Sequence, residues 1–116
     1  MLHKMKINDN AFDRMKKGSK KREYRVNDEK RQFIRCGDLI EFAKISNPEE
    51  TIVMDVKNIE NYITLEEAVS SHFDEDFSDR HNDIKSTVAS FYEKGYYTEE
   101  EVQKDGIVVF ELKNIE

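Results

Sequence analysis

The chain has 116 residues, of which 37% are hydrophobic and 38% are charged, and its formal net charge is -6. This length predicts one compact domain spanning residues 1–116. The single cysteine excludes an internal disulfide, and the three histidines are not spaced as metal ligands, so we expect neither a metal nor another cofactor. No apolar run is long enough for a signal peptide or a membrane span, and we therefore expect a cytoplasmic protein with no membrane contact.

The charge is unevenly distributed along the chain. Residues 1–44 carry a net charge of +6 and residues 45–116 carry -12, which together give the -6 of the whole chain. A basic region can attract phosphate even in an acidic protein, because the fields of exposed charges are screened within roughly 8 Å at physiological salt. The two halves could instead attract each other and serve solubility alone, and the sequence leaves both interpretations open.

The first predicted elements lead to one densely charged segment. Alternation of apolar and polar residues predicts a short strand over residues 2–7. Helical spacing predicts a helix that begins after Asn8 or Asp9 and ends at Gly18, where a left-handed glycine can cap it. The run over residues 21–26 contains good strand formers and is predicted to be extended.

The extended run presents its charges on defined faces. Lys21, Glu23 and Arg25 fall on one face, because alternate residues of a strand point the same way. Lys20 can converge with Glu23 only if it still belongs to the turn after Gly18. An ammonium, a carboxylate and a guanidinium together would suit a polar, planar ligand with phosphate nearby. Alternatively, the run is an edge strand whose charges serve solubility and block edge-to-edge pairing.

The rest of the chain alternates between strand and turn patterns. Strands are expected at residues 39–45, 51–59 and 107–112, the first of them central because both of its faces are apolar. Loops, turns or brief extended segments are expected at residues 27–31, 33–34, 36–38, 47–50 and 74–76.

Three further helices are predicted in the second half. The capping-box spacing of Thr64 and of Thr98, each followed by glutamate at the third position, predicts two short helices, the later of which Gly106 ends. Apolar residues at helical spacing over residues 84–91 predict the third, with Asp79 or Asn82 near its start.

Four residues carry a resemblance to a known family. Gly18, Lys20, Glu23 and Arg25 match the glycine-x-lysine-x-x-glutamate-x-arginine signature of the ASCH domain family, and the order of motif, glycine-aspartate turn and final strand agrees with it. The resemblance implies an α+β fold, namely a small PUA-like β-barrel of about five strands decorated by three or four helices. It also implies a cleft that binds RNA or a nucleotide-like ligand. The candidate binding residues are Gly18, Lys20, Lys21, Arg22, Glu23 and Arg25.

The same resemblance implies an alternative function. Some ASCH relatives are small amidohydrolases that remove an acyl group from a modified cytidine, using the motif lysine, a hydroxyl residue at the position of Glu23 and a downstream carboxylate. The chain keeps Lys20 and offers Asp83 near the position of that acid. In this interpretation Glu23 activates water and Lys20 stabilises the oxyanion, so Lys20, Glu23 and Asp83 are catalytic candidates.

Several other side chains have competing interpretations. Four tyrosines could either stack on unpaired bases, worth roughly 1–3 kcal/mol each, or pack in the core: Tyr24, Tyr92, Tyr96 and Tyr97. We expect Cys36 to be a buried or half-buried structural thiol, and His72 and His81 to lie at the surface.

Overall fold

The computed structural model describes residues 1–115. The strands are β1 (Leu2–Ile7), β2 (Arg22–Val26), β3 (Leu39–Lys44), β4 (Asn47–Tyr62) and β5 (Ile107–Asn114). The helices are α1 (Asp9–Lys17), α2 (Glu29–Gln32), α3 (Leu65–Ser71), α4 (Phe73–Asp76), α5 (Ile84–Glu93) and α6 (Glu99–Asp105). The strands form one sheet in the order β1-β3-β4-β5-β2. No helix of the described part of the chain is both long and apolar enough to cross a membrane.

The chain divides into two compact units. Unit 1 comprises Met1–Glu23, Ile34–Ile59 and Phe110–Glu116, and unit 2 comprises Tyr24–Phe33 and Glu60–Val109. The interpretation of residues 1–116 as one domain stays a prediction.

Helix α1 packs into unit 1 as its sequence predicts. Asn8 is the cap, and its side-chain oxygen accepts the backbone N–H of Ala11 at 2.9 Å. Phe12 and Met15 are fully buried, which gives the helix an apolar face and a charged face. Gly18 ends the helix with φ of 87°.

Strand β3 is central in the sheet, as its two apolar faces predict. It pairs in parallel with β1 and antiparallel with β4, and Ile40 and Phe42 are completely buried. The turn predicted at residues 47–50 is wrong, because the chain reverses at Ile45 and Ser46 and residue 47 already begins β4. Pro48 is tolerated there because it is the second residue of the strand, next to a register shift between Ala43 and Lys44.

The turn before β3 is held by the carboxylate of Asp38. Its Oδ2 accepts the backbone N–H of Arg35 at 3.0 Å and lies 2.8 Å from His3 Nε2. The hydrogen bond with His3, followed by that from the Arg35 backbone, lowers the pKa of Asp38 from 3.8 to about 2. The carboxylate therefore ties β1 to the start of β3.

Replacing Asp38 by asparagine should lower the melting temperature at neutral pH and flatten its acid dependence. A folded-state pKa below the unfolded value stabilises the fold fully above about pH 4 and loses that contribution as the pH falls through about 2. Melting temperatures of both proteins, measured from pH 7 down to pH 2, check this. Curves that stay parallel over that range would contradict the assignment.

Unit 2 is built around aromatic and branched side chains. Tyr24 and Val26 of β2 lie in one buried cluster with Leu65 and Val69 of α3 and with Phe77. The Tyr24 ring centroid is 5.0 Å from that of Phe77, and aromatic pairs at such distances contribute beyond the area they bury. The cluster is the core of this unit.

The four predicted helices are present as α1, α3, α5 and α6, and Thr98 and Glu101 form the predicted capping box. Two predicted loops are instead single helical turns, α2 and α4. Their sequences are too short and too charged to show apolar periodicity.

Asp28 starts α2 by accepting the Arg31 N–H at 3.0 Å, and Phe33 ends it, so the extended segment expected at residues 33–34 is absent.

The cap of α5 also differs from the prediction. Asp83, rather than Asp79 or Asn82, accepts the backbone N–H of Ser86 at 2.8 Å. Thr87 is fully buried and its hydroxyl donates to the Asp83 carbonyl at 2.8 Å, so the start of α5 is fixed from two sides.

Candidate ligand site at the glycine turn

The turn after α1 brings the backbone of the motif back onto the helix. Besides Gly18, the backbone N–H groups of Ser19 and Lys20 donate to the carbonyl of Arg14 at 3.0 and 3.1 Å. Lys20 therefore belongs to the turn, and the sequence predicted that only in this case could its side chain converge with that of Glu23. The left-handed conformation of Gly18 makes this reversal possible without strain.

Lys20 and Glu23 form a nearly enclosed ion pair in unit 1. Lys20 Nζ lies 3.1 Å from Glu23 Oε1, and only 13% and 9% of the two side chains are exposed. The same ammonium donates to the Arg22 carbonyl at 2.7 Å. Within residues 1–115 the two partners of Lys20 Nζ are Glu23 Oε1 and the Arg22 carbonyl. An ammonium has three N–H donors, so one donor remains. The alternative interpretation of residues 21–26, in which the charges serve only solubility, does not account for this enclosed pair.

Lys21 and Arg22 frame the pair differently. Lys21 is exposed, and its carbonyl accepts the backbone N–H of Leu112 in β5 at 2.8 Å. Arg22 is largely buried, with its Nη2 3.7 Å from Glu111 Oε2. Lys21 thus offers a charge to solvent, while the Arg22 guanidinium is part of the packed strand pair.

Arg25 lies on the portion of β2 that belongs to unit 2 and is half-buried. Its place in the binding site stays a prediction from the motif. Tyr24, the preceding residue, is buried, and its hydroxyl donates to Asp76 Oδ2 at 2.5 Å. The acidic run that includes Asp76 is therefore not a purely solvated loop.

The tyrosines separate into core and surface groups. Tyr24 and Tyr97 are buried, and the Tyr97 hydroxyl donates to the Tyr24 carbonyl at 3.5 Å, so for both the packing interpretation holds. Tyr96 is 46% exposed and meets the Phe91 ring edge-on, while Tyr92 is half-buried. Burial, with Glu66 and Glu99 nearby, raises the pKa of Tyr92.

The acid assigned to the hydrolase interpretation has a structural role. Asp83 caps α5, and its hydrogen bonds from the backbone N–H and hydroxyl of Ser86 lower its pKa. A carboxylate whose charged form is stabilised in this way is a poor general base near neutral pH. The cap therefore weighs against a catalytic role for Asp83.

Two expectations for single residues are wrong. Cys36 is exposed, because it lies in the Arg35–Asp38 turn rather than in a strand. His72 is largely buried, with its Nε2 2.6 Å from Glu60 Oε1. His81 is half-buried, and burial lowers its pKa.

Within residues 1–115 no three His, Cys, Asp or Glu side chains are grouped so that they could hold a metal ion.

The chain belongs to the ASCH domain family, whose model matches residues 5–116. Hypothetical protein PH0355 is similar in structure, with a TM-score of 0.84 and 29% identity over 99% of this chain and 100% of that one. Protein PF0455 from Pyrococcus furiosus has a TM-score of 0.74 and 25% identity, covering 100% of this chain and 99% of its own. None of the curated proteins matches the chain.

A more distant likeness supports the fold alone. A ZmASCH mutant protein from Zymomonas mobilis has a TM-score of 0.62 at 11% identity, covering 97% of this chain and 68% of that one. The fold class expected from the sequence, α+β and PUA-like with five strands, is confirmed by this likeness and by the observed sheet.

Proposed function

We propose that the protein binds RNA or a nucleotide-like ligand at the turn formed by Gly18, Lys20 and Glu23, with Lys21, Arg22 and Arg25 as the further motif residues. The observation that carries the proposal is the enclosed Lys20–Glu23 pair, with 3.1 Å between the charged atoms. Taking two charges out of water costs free energy that their attraction often does not recover, so such a pair is a weak source of stability. A role of the pair in ligand recognition would explain why two charges are buried at this turn.

The pair is chemically suited to a nucleotide. The Glu23 carboxylate can accept a hydrogen bond from an exocyclic amine of a base, and the third N–H of Lys20 can donate to a carbonyl or phosphate oxygen. Because Glu23 and Lys20 hold each other in place, a ligand would meet them already oriented.

Two exposed lysines close to the pair in sequence can attract the phosphate backbone. Lys17 in the last turn of α1 and Lys21 before β2 are exposed and form no ion pair with any other residue of 1–115, whereas Lys16 lies 3.7 Å from Glu50. Every phosphate that such a lysine neutralises makes binding more dependent on salt.

Removal of Lys21 tests the phosphate contact. We expect Lys21→Ala to weaken binding of short single-stranded RNA and to reduce the slope of log affinity against log salt by about one. Lys85→Ala is the matched control, since Lys85 is an exposed lysine on α5 outside the motif. Amide chemical-shift titration at several salt concentrations measures both, and equal slopes for the two variants would overturn the proposed contact.

The hydrolase interpretation is tested by the same titration with acylated and plain cytidine. We favour binding because the third residue of the hydrolase set, Asp83, serves as a helix cap. Appearance of plain cytidine signals from the acylated nucleoside, lost in Lys20→Ala, would reverse this preference. The cytoplasmic location expected from the sequence is part of the proposal and agrees with an RNA ligand.

A further inference from the structure

Unit 2 contains a groove that the motif does not use. It has a volume of about 310 Å³ and is lined by residues from three separate segments: Asn27 after β2, Asn61 to Ile63 at the end of β4, and the α6–β5 junction. This volume is at the lower end for small-ligand sites, which begin at about 300 Å³. A single planar ring system is therefore the size of ligand that fits the groove.

Three residues with side-chain amides line the groove. Asn27 Nδ2 donates to Asn61 Oδ1 at 3.2 Å, and Gln103 adds a third amide. Within residues 1–115 no hydrogen bond is formed by Asn27 Oδ1, an acceptor, or by Asn61 Nδ2, a donor. Asn27 Oδ1 and the N–H groups of Asn61 Nδ2 therefore remain available to a ligand as acceptor and donor, the two kinds of group with which an amide side chain reads the edge of a base.

The groove has a fixed wall and an apolar lip. The Asn27 backbone N–H donates to the Gly106 carbonyl at 2.9 Å, so the first segment is tied to the third before any ligand enters. Ile63 lines the groove and is 81% exposed, which places an apolar side chain where it can cover one face of a ring. Lys104 and Asp105 are both in the lining and their charges cancel, which favours a neutral ligand.

We propose that this groove binds an unpaired nucleobase, through the amides of Asn27 and Asn61 and the side chain of Ile63. The proposal rests on the proposed function and adds to it a site that reads the base rather than the phosphate. The base can belong to an RNA chain or to a free nucleoside, which present the same ring.

Nucleosides test the groove without involving the lysines of the motif, because they carry no phosphate. We expect adenosine, cytidine, guanosine or uridine to shift the amide signals of Asn61, Ile63 and Gly106, to the same extent at low and high salt. Asn61→Ala should weaken this binding at least about fivefold, the lower limit for loss of a paired contact to a base. Ile63→Asp should weaken it as well, and the exposure of Ile63 makes a folding defect unexpected.

Asn58→Ala is the matched control, because Asn58 is an exposed asparagine of the same strand outside the groove. The proposal is overturned if no nucleoside shifts the groove signals, if the shifts survive in both Asn61→Ala and Ile63→Asp, or if an uncharged dipeptide amide shifts them and nucleosides do not.

Short single-stranded RNA separates this proposal from the proposed function. RNA that shifts residues 16–23 in a salt-dependent manner, with no nucleoside in the groove, overturns the groove and supports the motif site. Nucleoside binding that persists while RNA shifts neither region supports the groove with a free nucleoside as its ligand, and it overturns RNA binding.

Discussion

Replacing Lys20 by methionine should lower the free energy of unfolding by about 3 kcal/mol, because the buried Glu23 carboxylate loses the ammonium that helps to offset the cost of its burial. Methionine keeps an unbranched side chain of similar reach, so the change removes the ammonium 3.1 Å from the Glu23 carboxylate with little loss of packing. Urea denaturation at neutral pH measures the loss.

The combined variant Lys20→Met with Glu23→Gln distinguishes a recognition site from a structural latch. Because it removes both charges, it should recover most of the stability lost in Lys20→Met alone. Binding of RNA or a nucleotide should remain lost in the combined variant. If the combined variant is as unstable as Lys20→Met, the loss in Lys20→Met does not come from an unpaired buried charge; if the combined variant keeps full ligand affinity, the pair is not the ligand site.

Replacing Gly106 by alanine should cost about 3 kcal/mol or more of stability. Gly106 has φ of +72°, and a Cβ atom there would lie 2.7 Å from the carbonyl oxygen of Tyr62, a backbone atom that cannot turn aside. With ψ of -171° this backbone conformation is one that essentially only glycine adopts; it costs a side chain roughly 1–3 kcal/mol, and the clash adds to it. Thermal denaturation of the variant measures the sum.

Gly95 provides the matched control for this prediction. It has a similar φ of +73°, but an added Cβ would meet nothing within 4 Å. Gly95→Ala should therefore cost only the roughly 1–2 kcal/mol of the backbone conformation. Equal losses in the two variants would show that the close approach to Tyr62 contributes nothing.

The local part of the candidate site could be predicted from the sequence. Lys20 and Glu23 are three residues apart, and the glycine before them indicated the turn in which they can meet. The helix caps at Thr64 and Thr98 were equally predictable, since each depends on residues within one helical turn. The single-turn helices α2 and α4 were not, because four residues are too few to show an apolar period.

Contacts between distant segments had no signal in the sequence. Tyr24 and Asp76 are 52 positions apart, and nothing in either neighbourhood indicates the other. His72 likewise contacts Glu60, which belongs to a different element. The groove combines Asn27 and Gly106, which lie between elements, with Asn61 at the end of β4, and none of the three is distinctive in its own segment. Such sites follow from the topology of the chain rather than from spacing.

The exposure of Cys36 gives this protein a single site for thiol-specific labelling. It is the chain's one cysteine, and its turn lies before β3 and apart in sequence from the motif. A thiol-reactive dye or spin label would therefore couple at one defined position without mutagenesis. The same accessibility allows two chains to join through a disulfide in air, so a dimer that disappears on adding reductant would be a product of oxidation.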